Sequence, residues 1–442
     1  MKDELFTTMP VPKAYFKLAL PVVFSMVVSL VYNIVDTFFI ARTENIGLIA
    51  GVSIGAPVFT LLIAIGDIFG LGGSSVISRL FGQNKDDDGK RISIFCFYGS
   101  LVCGVLVTAI MLILRTPILQ MLGADQDTFH YASEYYTYLA LGAPFIIVSY
   151  TPLNQLRTEG FSVASMAGSI LGTFVNIILD PIFIFTLEMG AAGAAIATVA
   201  GNICTDLFFV WFIRKKSKRL SINPLEFSIK GSEIWQVLVI GIPASVTNLV
   251  QSFGIMLTNR FLLPYGNDKV AAMGIAMKVN LIAMLILIGC AFGGQPLMGY
   301  NYGSKNKARL KEIMKFSYLV ECGMALVLAI GLSVSAEFLM ERFVSDNSVI
   351  QTGALMLRMQ QIGMVFVAVI LVTTCLFQSA GKAWQACVLS ISRQGVIFFV
   401  VITGISYFYG YYGILAAQSV ADILTVIVAL VLLWVTFKKR EH

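Results

Sequence analysis

Apolar residues gather into twelve runs, each long enough to cross a bilayer as a helix, with short polar breaks between them: roughly 14–40, 47–73, 92–114, 131–157, 161–186, 191–213, 235–262, 270–298, 313–335, 350–379, 384–408 and 412–437. This pattern predicts an all-α polytopic membrane protein. The two sets of six repeat each other. Leu20-Pro21 answers Ile242-Pro243 at an offset of 222. Gly72, Gly73 and Gly82 answer Gly293, Gly294 and Gly303 at 221, as do Gly142 and Gly160 with Gly363 and Gly381, while Gly190 and Gly193 answer Gly410 and Gly413 at 220. With an even number of spans per unit, both copies keep the same orientation, so a pseudo-two-fold axis along the membrane normal is expected. The expected organisation is an N-terminal six-helix lobe (1–213), a basic linker (214–232) containing RKKSKR and Asn223-Pro224, and a C-terminal six-helix lobe (233–442).

Polar residues inside the runs carry the functional signal. The fifth run contains TFVNIILDP (173–181). A carboxylate at membrane depth costs about 2.5–3.5 kcal/mol on insertion scales, so Asp180 needs partners, and an ion pathway is the usual reason for one. Asn176 lies four residues earlier on the same face, and Pro181 removes the helical hydrogen bond to the carbonyl of Ile177. The arrangement suits a proton or small cation; a kinked helix whose polar groups satisfy one another is the alternative. In the first run Ser25, Ser29, Tyr32 and Asp36 form one helical stripe, and in the seventh Thr247, Gln251, Gly254 and Thr258 hold the matching positions. Two inward-turned stripes describe a central cavity, or else helix-packing glue. Asp36, Asn176, Asp180 and Thr198 correspond by the repeat to Thr258, Ile397, Val401 and Gln418, so the acid constellation belongs to the first half alone. Asp36 and Asp180 are expected to converge and titrate as a unit.

Composition excludes a soluble domain: 57% of residues are hydrophobic, 13% are charged, and the mean hydropathy is +0.82, against about 25% charged residues in soluble domains. With the N-terminus inside, 24 of the 31 Lys and Arg residues fall on the cytoplasmic side, which predicts a multi-pass cell-membrane protein with both termini cytoplasmic. The net charge of +6 is a topology signal and needs no nucleic-acid partner. The first run is too long for a signal-peptide core and is expected to be retained. Seven cysteines without a CxxC read as packing residues.

Weaker candidates remain. Asp86, Asp87 and Asp88 resemble a metal-diphosphate motif but sit in a Lys-rich loop. Asp67, Asp206 and Asp422 lie in or near runs, and Lys278 and Arg358 put positive charge in the second half. Candidates for a substrate cavity are Thr247, Gln251, Met256, Lys278, Phe292 and Gln295, with Met277, Met284 and Met364 as soft lining or plain packing. Tyr32, Asn33 and Asn154 are further candidates for the ion site or cavity. With only His130 and His442, no metal-ligand cluster and no Gly-rich phosphate loop, the chain reads as a transporter rather than an enzyme, without a cofactor and driven by an ion gradient.

NIVDTFFIA (33–41), GLGGSSVISRLFG (70–82), LRTEG (156–160), NIILDPIF (176–183), GAAGAAIAT (190–198) and GGQPLMGYNYG (293–303) together resemble the multidrug and toxic compound extrusion (MATE) transporters, in the MepA-like branch, over nearly the whole chain. The resemblance implies two six-helix bundles alternating between inward-open and outward-open V shapes. It also implies export of bulky, amphipathic, often cationic compounds by a monomer in the lipid bilayer, in exchange for H+ or Na+. The family's ion site carries over onto Asp36, Asn176, Asp180 and Thr198. Its fourth-span Asn would fall at Leu153, and Asn154 stands one step round the helix. Gln251 and an acid-free tenth span argue against a second ion site in the C-terminal half. A lipid-linked glycan flippase of the same superfamily is the alternative, and it would need a cavity rich in Arg and Lys.

Overall fold

The computed structural model describes residues 2–438; Lys439, Arg440 and His442 lie outside the described residues. Every regular element among them is helical. The first nine spans are α1 (Val11–Ala41), α2 (Ile46–Gly82), α3 (Asp86–Ile113), α4 (Phe129–Thr158), α5 (Ser162–Pro181), α6 (Gly190–Lys216), α7 (Gly231–Leu262), α8 (Asn267–Gly303) and α9 (Lys307–Val334). The tenth, α10, is two pieces, Asn347–Ile362 and Met364–Ser379, bent by 46°. The eleventh, α11, begins at Ala383–Ile391 and passes through a π-helical turn, Ser392–Val396, into a helix, Ile397–Lys438, which Gly410 (φ 54°) breaks into the end of α11 and the twelfth span, α12. Among the described residues nine stretches are long and apolar enough to cross a membrane singly, and the α10 pair qualifies jointly. The stretch Ala383–Phe437, at 55 residues, holds two spans, and α4 is more polar than the others, so the fold has twelve helices in two six-helix bundles.

The internal repeat is written into the backbone as well as the sequence. Left-handed residues recur at the same spacing: Asn84 and Lys305 (both φ 58°) and Gly160 and Gly381 (φ 83° and 70°) at 221, and Gly190 and Gly410 (φ 52° and 54°) at 220. These are the corners where the chain leaves one helix for the next. The surface is inverted relative to a soluble protein: Val105, Leu106, Val327, Ile330 and Trp434 are all more than half exposed, as a lipid-facing belt requires.

Helices α2 and α8 each run 37 residues, about 55 Å at 1.5 Å per residue, well beyond the apolar runs read from sequence. Their glycine-rich ends continue as helix because glycine lets the bundles touch backbone to backbone. A Cβ on Gly241 would lie 2.0 Å from the Ile68 carbonyl oxygen, one on Gly82 2.0 Å from that of Tyr300, and one on Gly293 2.3 Å from the Ala19 Cα. Ser75 donates to the Gln378 carbonyl across the same seam. All these contacts lie in the half of the molecule nearest the linker. In the opposite half, Gly51, Gly55, Gly193 and Gly254 meet only residues of their own bundle. The two bundles therefore form a V that opens away from the linker.

The linker is strapped down. Its first basic residues, Arg214 to Lys216, are the last turn of α6. The Ser93 hydroxyl donates to the Ser221 carbonyl at 2.8 Å, the Tyr98 hydroxyl to that of Ile222 at 2.9 Å, and Arg219 pairs with Asp86. Asp86 to Asp88 thus form the first turn of α3, with Asp88 bonded to Arg91 at 2.6 Å.

Candidate functional site

Four helices of the N-terminal bundle build a polar cluster in its open half. Asp180 is fully buried near the end of α5, Asn176 is 4% exposed one turn earlier, and Thr198 of α6 is 6% exposed. From α1, half-buried Tyr32 and Asp36 reach in. The orientation of the Asn176 amide follows from its partners. With its nitrogen toward Asp180 it donates to Oδ2 at 2.7 Å, and its oxygen accepts from the Tyr32 hydroxyl at 3.2 Å and the Thr198 hydroxyl at 3.1 Å. The reverse orientation would aim its oxygen at the carboxylate. Tyr32 also meets the Thr198 hydroxyl at 3.4 Å.

Asp36 and Asp180 lie within side-chain hydrogen-bonding reach of each other. Two carboxylates are both acceptors, so their close approach is favourable when a proton or a metal cation lies between them. No Lys or Arg pairs with either acid among the described residues. Tyr135 of α4, 8% exposed, lies within electrostatic reach of both acids, with its ring against Gly55. The α-helix ends at Pro181 and continues as a π-helical turn, Ile182–Thr186, so the Asp-Pro step re-winds the helix where the sequence suggested an interruption.

The other predicted polar positions separate. Ser25 and Ser29 bond back to carbonyls of their own helix, as does Asn33, which is exposed and donates to the Ser29 carbonyl at 2.7 Å. Asn33 lies outside the cluster. Its replacement by Ala is expected to change export by less than about twofold, the scale of a neutral surface change, whereas Asn176→Ala should impair it; a large Asn33→Ala defect in a dye-efflux assay would contradict this placement.

Asn154 belongs to a different group near the middle of the bundle. Its Nδ2 donates to the Tyr150 carbonyl at 2.9 Å and to Asp67 Oδ1 at 3.4 Å, while its Oδ1 accepts from Arg157 Nη1 at 3.3 Å. Arg157 is 5% exposed and is held by Ser165 at 3.2 Å. Asp67 opens onto a small cavity between the bundles, about 110 Å³, whose lining includes Thr247, Gln251, Phe292, Gln378 and Arg393. Of the six predicted cavity residues, Thr247, Gln251 and Phe292 line it. Gln295 sits behind it, 5% exposed, with its Nε2 on Gln378 Oε1 at 3.1 Å. Met256 and Lys278 are exposed further out, while Met284 and Met364 are buried in packing. Arg393 lies inside α11 rather than at its cytoplasmic end, with its Nε 2.9 Å from Asp422 Oδ1, which Gln418 also holds at 3.1 Å. Asp422 is therefore matched by a fixed cation, whereas Glu321, fully buried on α9, is held by the Tyr15 hydroxyl at 3.3 Å, and the acid pair of the N-terminal bundle has no basic partner among the described residues.

A family model described as MatE matches residues 21–182 and again 243–403, one copy in each bundle. The chain belongs to the MatE family. It is 29% identical over 438 residues to the multidrug export protein MepA of Staphylococcus aureus strain MRSA252, covering 98% of this chain and 96% of that one. Two solved structures match at a TM-score of 0.90 and 25% identity, each covering 97% of this chain and 96% of the other: an outward-facing multidrug resistance MATE transporter of the MOP superfamily, and a MOP superfamily transporter from Pyrococcus furiosus in which reversed polarity of the binding pocket suggests a different function. Within a MatE frame, the features that sequence reasoning missed are Tyr135 and the Asp67–Asn154–Arg157 chain. Tyr135 is one of several tyrosines in α4, and nothing local marks it. Asp67 stands among apolar residues in the run, a signal that was visible, but its partner Asn154 lies 87 residues away.

Proposed function

We propose that this protein is a secondary active multidrug exporter that moves amphipathic, often cationic, organic compounds out of the cell by alternating access, in antiport with H+ or Na+. The observation that carries the reading is the Asp36–Asp180 contact without a basic partner. A group of this kind needs a visiting cation, and an ion that binds one state of a V-shaped transporter better than the other drives the change between them. The ion site is Asp36, Asn176, Asp180 and Thr198, with Tyr32 bonded to it and Tyr135 as its wall. An ion arriving from outside neutralises the pair and lowers affinity for substrate, and each charge moved inward releases about 2.3 kcal/mol per 100 mV. Both termini and the linker are cytoplasmic, since Arg79, Lys85, Lys230, Lys305, Lys307 and Lys311 ring a cavity of about 910 Å³ on that face. The V then opens outward. The lobes are 1–213 and 233–442, joined by 214–232, and a single chain holds the complete site, so a monomer suffices.

The flippase reading requires uncompensated positive charge in the central cavity. The described lining holds one arginine, Arg393, already matched by Asp422. The test is export of an amphipathic dye cation from proteoliposomes under a Na+ gradient alone and then a pH gradient alone. One of the two should drive uphill export; failure of both, with dye crossing only downhill, contradicts antiport.

A further inference from the structure

We infer that Asp67 is the recognition site for the positively charged head of the substrate, a carboxylate separate from the ion pair and set at the apex of the cleft. The inference rests on the export reading above and adds where the cation is held. Charge accounting around the cavity leaves one sign over. Arg393 and Asp422 cancel within the C-terminal bundle. Asp67 has no direct ion pair among the described residues: Arg157 reaches it only through the Asn154 amide, which takes one carboxylate oxygen at 3.4 Å. Asp67 is itself part of the cavity lining. The Asn154–Arg157 relay holds the acid in place.

The walls suit an organic cation. Phe292 offers an aromatic face, the geometry that attracts quaternary ammonium groups, and Leu71, Ile370 and Leu371 supply apolar surface. At about 110 Å³ the cavity admits a head group such as a substituted ammonium. It is too small for a drug-sized body, for which pockets run about 300–1,000 Å³. The apolar remainder of the molecule would then lie in the open V beyond, against the half-exposed stripe of α1. The two sites thereby divide the work: Asp67 reads the substrate's charge, and Asp36 with Asp180 reads the ion.

Equilibrium binding to purified, detergent-solubilised protein tests this, with an amphipathic dye bearing a trimethylammonium head as the cationic probe and the same dye with an uncharged tert-butyl head as the neutral one. Asp67→Asn should weaken binding of the trimethylammonium dye on the order of tenfold and leave the neutral dye's affinity unchanged; Asp67→Glu should restore much of the loss. Gln251→Lys, which adds a cation to the same cavity and leaves Asp67 in place, should also weaken the trimethylammonium dye alone, and it decides the matter if Asp67→Asn fails to fold. Equal affinity for the trimethylammonium dye in wild type and in these variants overturns the inference while leaving the export reading intact. Wild-type protein that binds neither probe defeats the export reading, and this inference with it.

Discussion

Asp180→Asn protein should lose gradient-driven export of an amphipathic cation by on the order of a hundredfold, near the upper end of typical coupling free energies, while downhill exchange of the same dye across proteoliposomes persists. Asparagine has nearly the shape of aspartate and keeps an oxygen to accept from Asn176, whose nitrogen lies 2.7 Å from Asp180 Oδ2. Folding should survive. What disappears is the second negative charge, and with it the reason for a cation to bind between α1 and α5. Uphill and downhill dye flux, measured on the same vesicles, separate the two effects. Uphill export at the wild-type rate would show that Asp180 only satisfies its neighbours.

The next largest effect is expected at the closed seam. Gly241→Val should open the linker side and shift the population toward the state in which the V faces the linker. The Cβ position at Gly241 lies 2.0 Å from the Ile68 carbonyl oxygen and 2.8 Å from its Cα, backbone atoms that cannot rotate away. Overpacking of this kind costs about 1–3 kcal/mol, and that is about a 5- to 150-fold change in a two-state ratio. Spin labels at Gln83 and Lys305, both exposed beside the seam, would report a longer distance in the variant than in wild type. An unchanged distance distribution with full transport would mean that the seam tolerates a side chain and does not set the conformational balance.

The parts of this architecture that rest on local pattern were legible in the sequence. Apolar runs marked the spans, and the spacing of glycines and prolines revealed the repeat, because each copy needs the same corners. Asp36 and Asp180 stood out because carboxylates are costly in lipid, and the reading that they converge agrees with their contact. The ends of α2 and α8 were cut short because LGGSSVISRLFG and GGQPLMGYNYG look like loops: glycine costs about 1 kcal/mol in a helix interior relative to alanine, and only the opposite bundle, invisible in one stretch of chain, compensates. Lys278 and Met256 were drawn toward the cavity by composition, but which face of a helix looks inward at a given depth depends on how far the V is open. Arg393 and Asp422 stand 29 residues apart, so nothing local in the sequence marked them as partners.

The most direct measurement of the central claim is the release of an ion when substrate binds. If substrate and cation compete through the Asp36–Asp180 pair, reciprocity requires each to lower the other's affinity. Adding saturating amphipathic cation to purified protein, in lightly buffered solution with Na+ present, should release H+ or Na+ from wild type and neither ion from Asp36→Asn or Asp180→Asn. Release undiminished in both variants, or absent from a wild type that binds the substrate, would contradict the account.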